Sequence, residues 1–205
     1  VRQSARPGKA IPKRRFLIFM AGAALAGASA ARAQEVTPAP APPPADCSLA
    51  DAADARRILG YAVSPADEAS RAGGICFYPS SDASQEGSVS YAVVTAARLP
   101  QRNGFYAALA RRCGSVAPGA PRAFACATFV KLALAKNLDD YFAARTGSPG
   151  ASPVPGLGFK AVATEDALYV RRPDAVVEAI VRRGTDFDLD RATELAKLLL
   201  ARLDR

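Results

Sequence analysis

Histidine is absent from this chain of 205 residues, and that absence excludes much familiar chemistry. No Ser-His-Asp triad, Cys-His dyad or histidine metal cluster can be assembled. Tryptophan is also absent and aromatic residues make up only 7%, so platforms for stacking nucleic-acid bases are sparse. The four cysteines include no CxxC spacing, which removes the usual zinc and redox patterns. No metal or other cofactor is therefore expected. The longest apolar stretch, Phe16 to Ala31, falls short of the roughly 20 residues that span a membrane. Acids are missing altogether from the first 33 residues.

What fills those 33 residues reads as an export signal. Arg2, Arg6, Lys9, Lys13, Arg14 and Arg15 form a positive n-region, Phe16 to Ala31 an apolar core, and Ala31-Arg32-Ala33 a small-x-small cleavage pattern before Gln34. Arg14 and Arg15, followed by Phe16-Leu17-Ile18, resemble a twin-arginine signal. An ordinary Sec signal fits equally. Cys47 follows Pro44-Ala45-Asp46 and not a lipobox triplet, so a soluble periplasmic or secreted product is expected, with no membrane span after cleavage. Seven of the 27 basic residues lie in the signal and none of the 19 acids does. The apparent net charge of +8 falls to about +1 once the signal is removed. The nucleic-acid reading loses its support with it.

Residues 34–45 form a linker, with five prolines between Thr37 and Ala45. Such a tract favours extended polyproline II and spans roughly 30 Å. Residues 46–205 suit one domain with one core. Its pattern is α+β: an antiparallel sheet of about five strands packed against helices, including a C-terminal amphipathic helix.

Ser48 and Asp51 suggest a capping box opening the first helix, and Gly60 closes it. Ile75 to Tyr78 and Ser88 to Thr95 read as a hairpin. Gln101 to Cys113 reads as a helix. Over Ala127 to Arg145, Val130, Leu134, Leu138 and Tyr141 recur at helical spacing. A strand over Phe129 to Leu134 followed by a helix capped by Asn137 is the alternative. Phe159 to Thr164, Ala167 to Arg171 and Ala175 to Arg182 form a three-stranded meander. A two-residue turn at Pro173-Asp174 sets Leu168 against Ala179 and Val170 against Val177 on an apolar face. The same register sets Tyr169 against Glu178 on the more polar face and Glu165 against Arg182. Asp190 to Leu203 closes the domain as an amphipathic helix with Ala192, Leu195, Ala196, Leu199 and Leu203 on its apolar side.

Cys47, Cys76, Cys113 and Cys126 read as a disulfide framework in an exported domain. Three connectivities are open. One would tie the first helix to the first strand and clip the loop between the middle helices. Asp186, Asp188 and Asp190 alternate as in a calcium loop, but Arg191 and Lys197 occupy positions that need Gly and Glu. Asp188 and Asp190 fit a helix N-terminus better. Asp139-Asp140 and Glu165-Asp166 are the carboxylate pairs available for acid–base work, though adjacent residues seldom converge on one substrate. No catalytic and no metal residue is assigned. Arg111-Arg112, Arg171-Arg172 and Arg182-Arg183 could meet an anion, but the last two pairs lie at opposite ends of a hairpin.

The order Cys-Ser-Leu, Ile58-Leu59-Gly60, Cys76-Phe77-Tyr78, Val154-Pro155-Gly156-Leu157-Gly158, an antiparallel strand pair and a terminal Leu-rich helix resembles one known group. It is similar to small exported α+β domains of unknown function, many of them lipoproteins, related in fold to extracytoplasmic sensor domains of receptor kinases. The resemblance implies a Cys47–Cys76 bridge and a ligand-facing loop at Val154, Pro155, Gly156, Leu157 and Gly158. Here Phe159 stands where such domains often carry an acid, and the lipobox is missing. The expectation is a non-catalytic exported domain binding a small ligand or an envelope protein through its sheet and the Gly147–Gly158 loop. A structural cell-envelope protein and a carboxylate-dependent hydrolase are the alternatives.

Overall fold

The computed structural model describes residues 47–113 and 123–205. The signal and cleavage residues Arg14, Arg15, Ala31, Ala33 and Gln34, and the linker, lie outside them. The described residues all fall in one compact unit, Ala39–Arg205.

Chain order explains the layers. A 3-10 turn at Cys47–Leu49 leads into α1 (Ala52–Leu59), then α2 (Glu68–Ala72), β1 (Cys76–Pro79) and β2 (Gly87–Thr95). Three helices follow, α3 (Leu99–Arg112), α4 (Ala123–Ala133) and α5 (Leu138–Thr146). The last third carries β3 (Ser152–Pro153), β4 (Lys160–Ala163), β5 (Leu168–Arg171), β6 (Ala175–Arg183), β7 (Asp186–Phe187) and α6 (Leu189–Leu203). The strands form one sheet in the order β1-β2-β6-β5-β4-β3, with β7 paired to the end of β6. Every pairing is antiparallel.

The meander is β4-β5-β6 in the register read from the sequence: Leu168 faces Ala179, Val170 faces Val177 and Tyr169 faces Glu178. Two of the seven strands, β3 and β7, are only two residues long. The central β6 is buried through most of its length, so its alternate residues feed two cores. Val177, Ala179 and Val181 join Val89, Tyr91, Leu168 and Val170 beneath α1 and α6. Val176 joins Val94 and Tyr169 beneath α3 and α5. Both faces of the sheet are thus covered, and the "more polar face" expected for Tyr169 and Glu178 is an interior. Sheet residues reach open space beside the covering helices, at Val93, Val94, Tyr169 and Ile180.

Helix ends follow their caps. Asp51, not Ser48, is the N-cap of α1; its side chain accepts from Asp54 N–H while Asp54 accepts from Asp51 N–H. The capping box sits three residues later than expected because Cys47–Leu49 is a 3-10 turn. Gly60 ends α1 at φ 89°, a left-handed conformation that a β-carbon disfavours. The long helical periodicity over Ala127 to Arg145 breaks into α4 and α5. Asn137 caps α5 by accepting from Asp140 N–H, and Asp140 accepts from Lys136 N–H. Those local bonds compete with helix continuation, and Leu134, at 71% exposure, gains no burial that would oppose the break.

Side-chain ties lock α1 and α6 to the first core. Asp54 pairs with Arg57 and Arg202, Arg202 also donates to Leu49 C=O, and Arg191 donates to Ile58 C=O. The Tyr78 hydroxyl donates to Ala50 C=O at 2.6 Å. α6 buries Ala192, Leu195, Ala196, Leu199 and Leu200, and Leu203 packs half-buried against the same core. Asp188 caps this helix by accepting from Arg191 N–H, and Asp190 lies in its first turn.

Disulfides join Cys47 to Cys76 and Cys113 to Cys126. The first closes a loop over a sequence separation of 29 and the second over 13. In a chain-entropy account the longer loop is worth roughly 3–4 kcal/mol. Replacing Cys47 and Cys76 together by Ala should lower the urea-unfolding free energy by about that amount. An unchanged midpoint would show that the bridge adds no stability.

Candidate ligand-binding site

The centre of the α3–α5 side is a buried ion cluster. Glu178 projects from the middle of β6 at 3% exposure, flanked in the sheet by Ala92 and Tyr169. Its Oε1 accepts from the Tyr141 hydroxyl at 2.6 Å, and its Oε2 accepts from Arg102 Nη2 at 3.3 Å. Arg145 Nε lies 3.3 Å from Oε1 as an ion pair. Arg102 also donates through Nη1 to Gly73 C=O at 3.1 Å, which anchors the end of α2. The guanidinium of Arg145 stands 4.9 Å from the Tyr169 ring centroid, and Tyr106 lies within cation–π distance of both arginines.

Electrostatics follow from this geometry. Burial would raise the Glu178 pKa, but Arg145, Arg102 and the Tyr141 hydroxyl outweigh it and hold the carboxyl below its ordinary 4.5. Burial would also lower the arginines, and Glu178 reverses that, raising both. Burial raises Tyr141 and Tyr169. Glu178 is therefore an ionised counter-ion and not a proton donor. The same direction holds at Asp54, Asp67, Asp82 and Asp174, each held low by hydrogen bonds or ion pairs that outweigh any burial.

A cavity of about 700 Å³ opens beside the Arg102 end of this cluster. β2 reaches four residues past the start of β1, whose first pair is Cys76 with Tyr91. Val93 and Val94 floor the space left there, Gly73 and Gly74 border it, and Pro100, Gly104 and Phe105 from α3 form a wall. Arg98, Arg102 and Arg111 supply three guanidiniums, and no acid lines the cavity. Arg102 is neutralised by Glu178. Arg98 and Arg111 form no ion pair among the described residues, in contrast to Arg171, Arg172 and Arg182, which pair with Asp139, Asp174 and Asp204, and Asp166. Gly104 lies within α3, and a β-carbon there would meet nothing within 4 Å. The arrangement offers an apolar slot with two unpaired cations.

The residues singled out from the sequence fall elsewhere. Leu157 is buried in the first core with Val154 packed against it, Val154 N–H donates to Ala161 C=O, and Gly156 and Gly158 take positive φ. Residues Val154, Pro155, Gly156, Leu157 and Gly158 thus form a structural turn and line neither large cavity. Of the wider loop, Ser148 and Pro149 do border a second cavity. The paired acids are occupied: Asp139 pairs with Arg171 and Asp140 with the α5 cap. Arg182 is met by Asp166 and not by Glu165, as register alone had suggested. Among the described residues no three His, Cys, Asp or Glu gather as a metal site. Of the basic pairs, only Arg111 reaches the first cavity.

Glu178, Arg102 and Arg145 were missed from sequence. The available signals were a lone acid inside the apolar run of β6 and two Tyr–Arg pairs at helical i,i+4 spacing, Arg102 with Tyr106 and Tyr141 with Arg145. Comparison with protein families, curated proteins and solved structures finds no match to this chain.

The pH dependence of stability has a definite sign. A carboxyl with a depressed folded pKa contributes stability that is present above its unfolded value and lost as pH falls through the folded one. Wild-type stability should therefore decline below about pH 4.5. Glu178→Gln removes the charge between two buried arginines and should cost about 3–5 kcal/mol at neutral pH. The loss should shrink on acidification, measured by urea unfolding at stepped pH. Parallel wild-type and variant curves would contradict this assignment.

Proposed function

We propose that this chain is an exported, non-catalytic domain that binds a small anionic amphiphile, of the alkyl phosphate kind, in the cavity between α2, α3 and the end of β2. The observation that carries the reading is the pairing of apolar walls with two unpaired guanidiniums and no lining acid. Guanidinium forks suit phosphate oxygens through paired hydrogen bonds. The apolar floor at Val93, Val94 and Phe105 suits a short alkyl body.

Two further features support it. Two disulfides suit an oxidising compartment, in keeping with the export signal read from residues 1–33, and no helix among the described residues is long and apolar enough to cross a membrane. Among the described residues every carboxyl with a shifted pKa is shifted down. That removes support from a carboxylate hydrolase, whose general acid must hold its proton near neutral pH.

Octyl phosphate is the probe. Calorimetry should show saturable binding, and Arg98→Ala with Arg111→Ala should weaken it roughly tenfold, about 1.4 kcal/mol. Gly104→Leu separates binding from folding. Leucine is a far better helix former than glycine, so thermal stability should rise by about 0.5–1 kcal/mol while its side chain fills the slot and binding falls. Undiminished binding in both variants would refute the site.

A further inference from the structure

The second cavity, about 670 Å³, lies on the other side of the ion cluster and shares no lining residue with the first. It is walled by Phe124 and Phe129 of α4, by the C-terminal end of α5, and by Tyr169 and Ile180 of the sheet. Arg145 forms its inner cation. The cluster holds two guanidiniums against the single carboxylate of Glu178, so one positive charge has no protein counter-ion. Such a surplus is costly to bury unless something compensates it.

Hydrogen bonding identifies which arginine is short of partners. Arg102 is bonded to Gly73, Tyr141 and Glu178. Arg145 has only the Glu178 ion pair through Nε, and that nitrogen lacks a properly aligned hydrogen bond. No other acceptor meets Arg145 among the described residues, and its remaining contacts are the faces of Tyr169 and Tyr106. Ser148 Oγ, also lining the cavity, is buried without a hydrogen-bond partner. A buried hydroxyl left unpaired is itself unfavourable. At the mouth, Glu165 is exposed and forms no ion pair, while Asp166 is taken by Arg182.

We propose that this second cavity is a separate binding site for a small aromatic monocarboxylate. The carboxylate accepts from the Arg145 terminal nitrogens and from Ser148, and the aromatic body lies among Phe124, Phe129 and Ile180. The unpaired Glu165 at the mouth disfavours a second negative charge on the ligand. Selection is thus for one anionic end and one apolar end.

The test uses the full chain with 3-phenylpropionate as probe, read by calorimetry and by NMR. Binding with a Kd below roughly 1 mM is expected. Uncharged 3-phenylpropionamide should bind at least tenfold more weakly, because it loses the charge-assisted pair. Ser148→Ala removes a hydroxyl that bonds to nothing in the free protein, so folding is unaffected and affinity should fall about tenfold. Ala125→Trp, at an exposed lining position, should abolish binding by occupying the cavity. Octyl phosphate should not compete, and Arg98→Ala/Arg111→Ala should leave phenylpropionate binding intact. Equal affinity for the amide, no saturable binding, or loss on Arg98→Ala/Arg111→Ala with Ala125→Trp unaffected would overturn the proposal. These arms separate failure here from failure of the first site.

Discussion

A carboxylate in the middle of a sheet that is covered on both faces cannot be left alone. Removing Glu178 from water without partners would cost several kcal/mol and drive its protonation. Two guanidiniums and a phenol approach it from α3 and α5, and this requirement fixes how those helices lie. Arg102 must reach inward from the first half of α3, which brings its Nη1 to Gly73 and pins the end of α2. Tyr141 and Arg145 must share one side of α5, which lays that helix over β5 and β6. Both large cavities are what remains on either side once these side chains have converged.

The elements legible in sequence were those governed by local rules. Leu195, Ala196 and Leu199 fall at the spacing of one helical face, and α6 buries that face. Pro173-Asp174 dictated a tight turn, and the register of the meander followed from it. The break between α4 and α5 was only half legible: the Val130–Leu134–Leu138–Tyr141 periodicity runs through it, and the alternative that capped a helix at Asn137 wrongly put a strand over Phe129 to Leu134, where α4 runs. Asn137 decides the matter locally, through one side-chain bond to Asp140 N–H. Glu178 was placed correctly in register but on the wrong kind of surface. Its burial depends on Arg102, 76 residues away, and no local pattern encodes that distance. Charged residues default to solvent, and the sequence offered only the apolar neighbours of Glu178 as a contrary sign.

Charge pairing also explains why the sites were not read from the obvious motifs. In the conspicuous Arg-Arg doublets at 171–172 and 182–183, Arg171, Arg172 and Arg182 have their charges taken up by nearby aspartates at the sheet and helix ends. Such exposed pairs add little stability, yet they remove the guanidiniums from the pool available to a ligand. Arg98 is isolated in sequence and Arg111 is half of a doublet, and both line a cavity that no acid lines. The proposed first site therefore rests on two cavity-lining arginines that lack an acidic partner and not on where arginines are dense.

The same accounting bears on catalysis. A general acid near neutral pH needs a carboxyl whose charged form is disfavoured, by burial or by a like-charged neighbour. Glu178 has the burial, and two arginines reverse its effect. Asp54 is similarly held down, with Arg202 and Arg57 outweighing its burial. Glu178 holds Arg102 of α3 and Arg145 of α5 against the sheet, and Asp54 ties α1 to Arg202 of α6. An acid committed in this way cannot release its arginines to cycle a proton without loosening the layer it holds. Arg98 and Arg111 differ from these committed groups: their charge is permanent and no described acid pairs with them. Such groups attract and orient anions without transferring protons, and that is the property on which the proposed anion site rests.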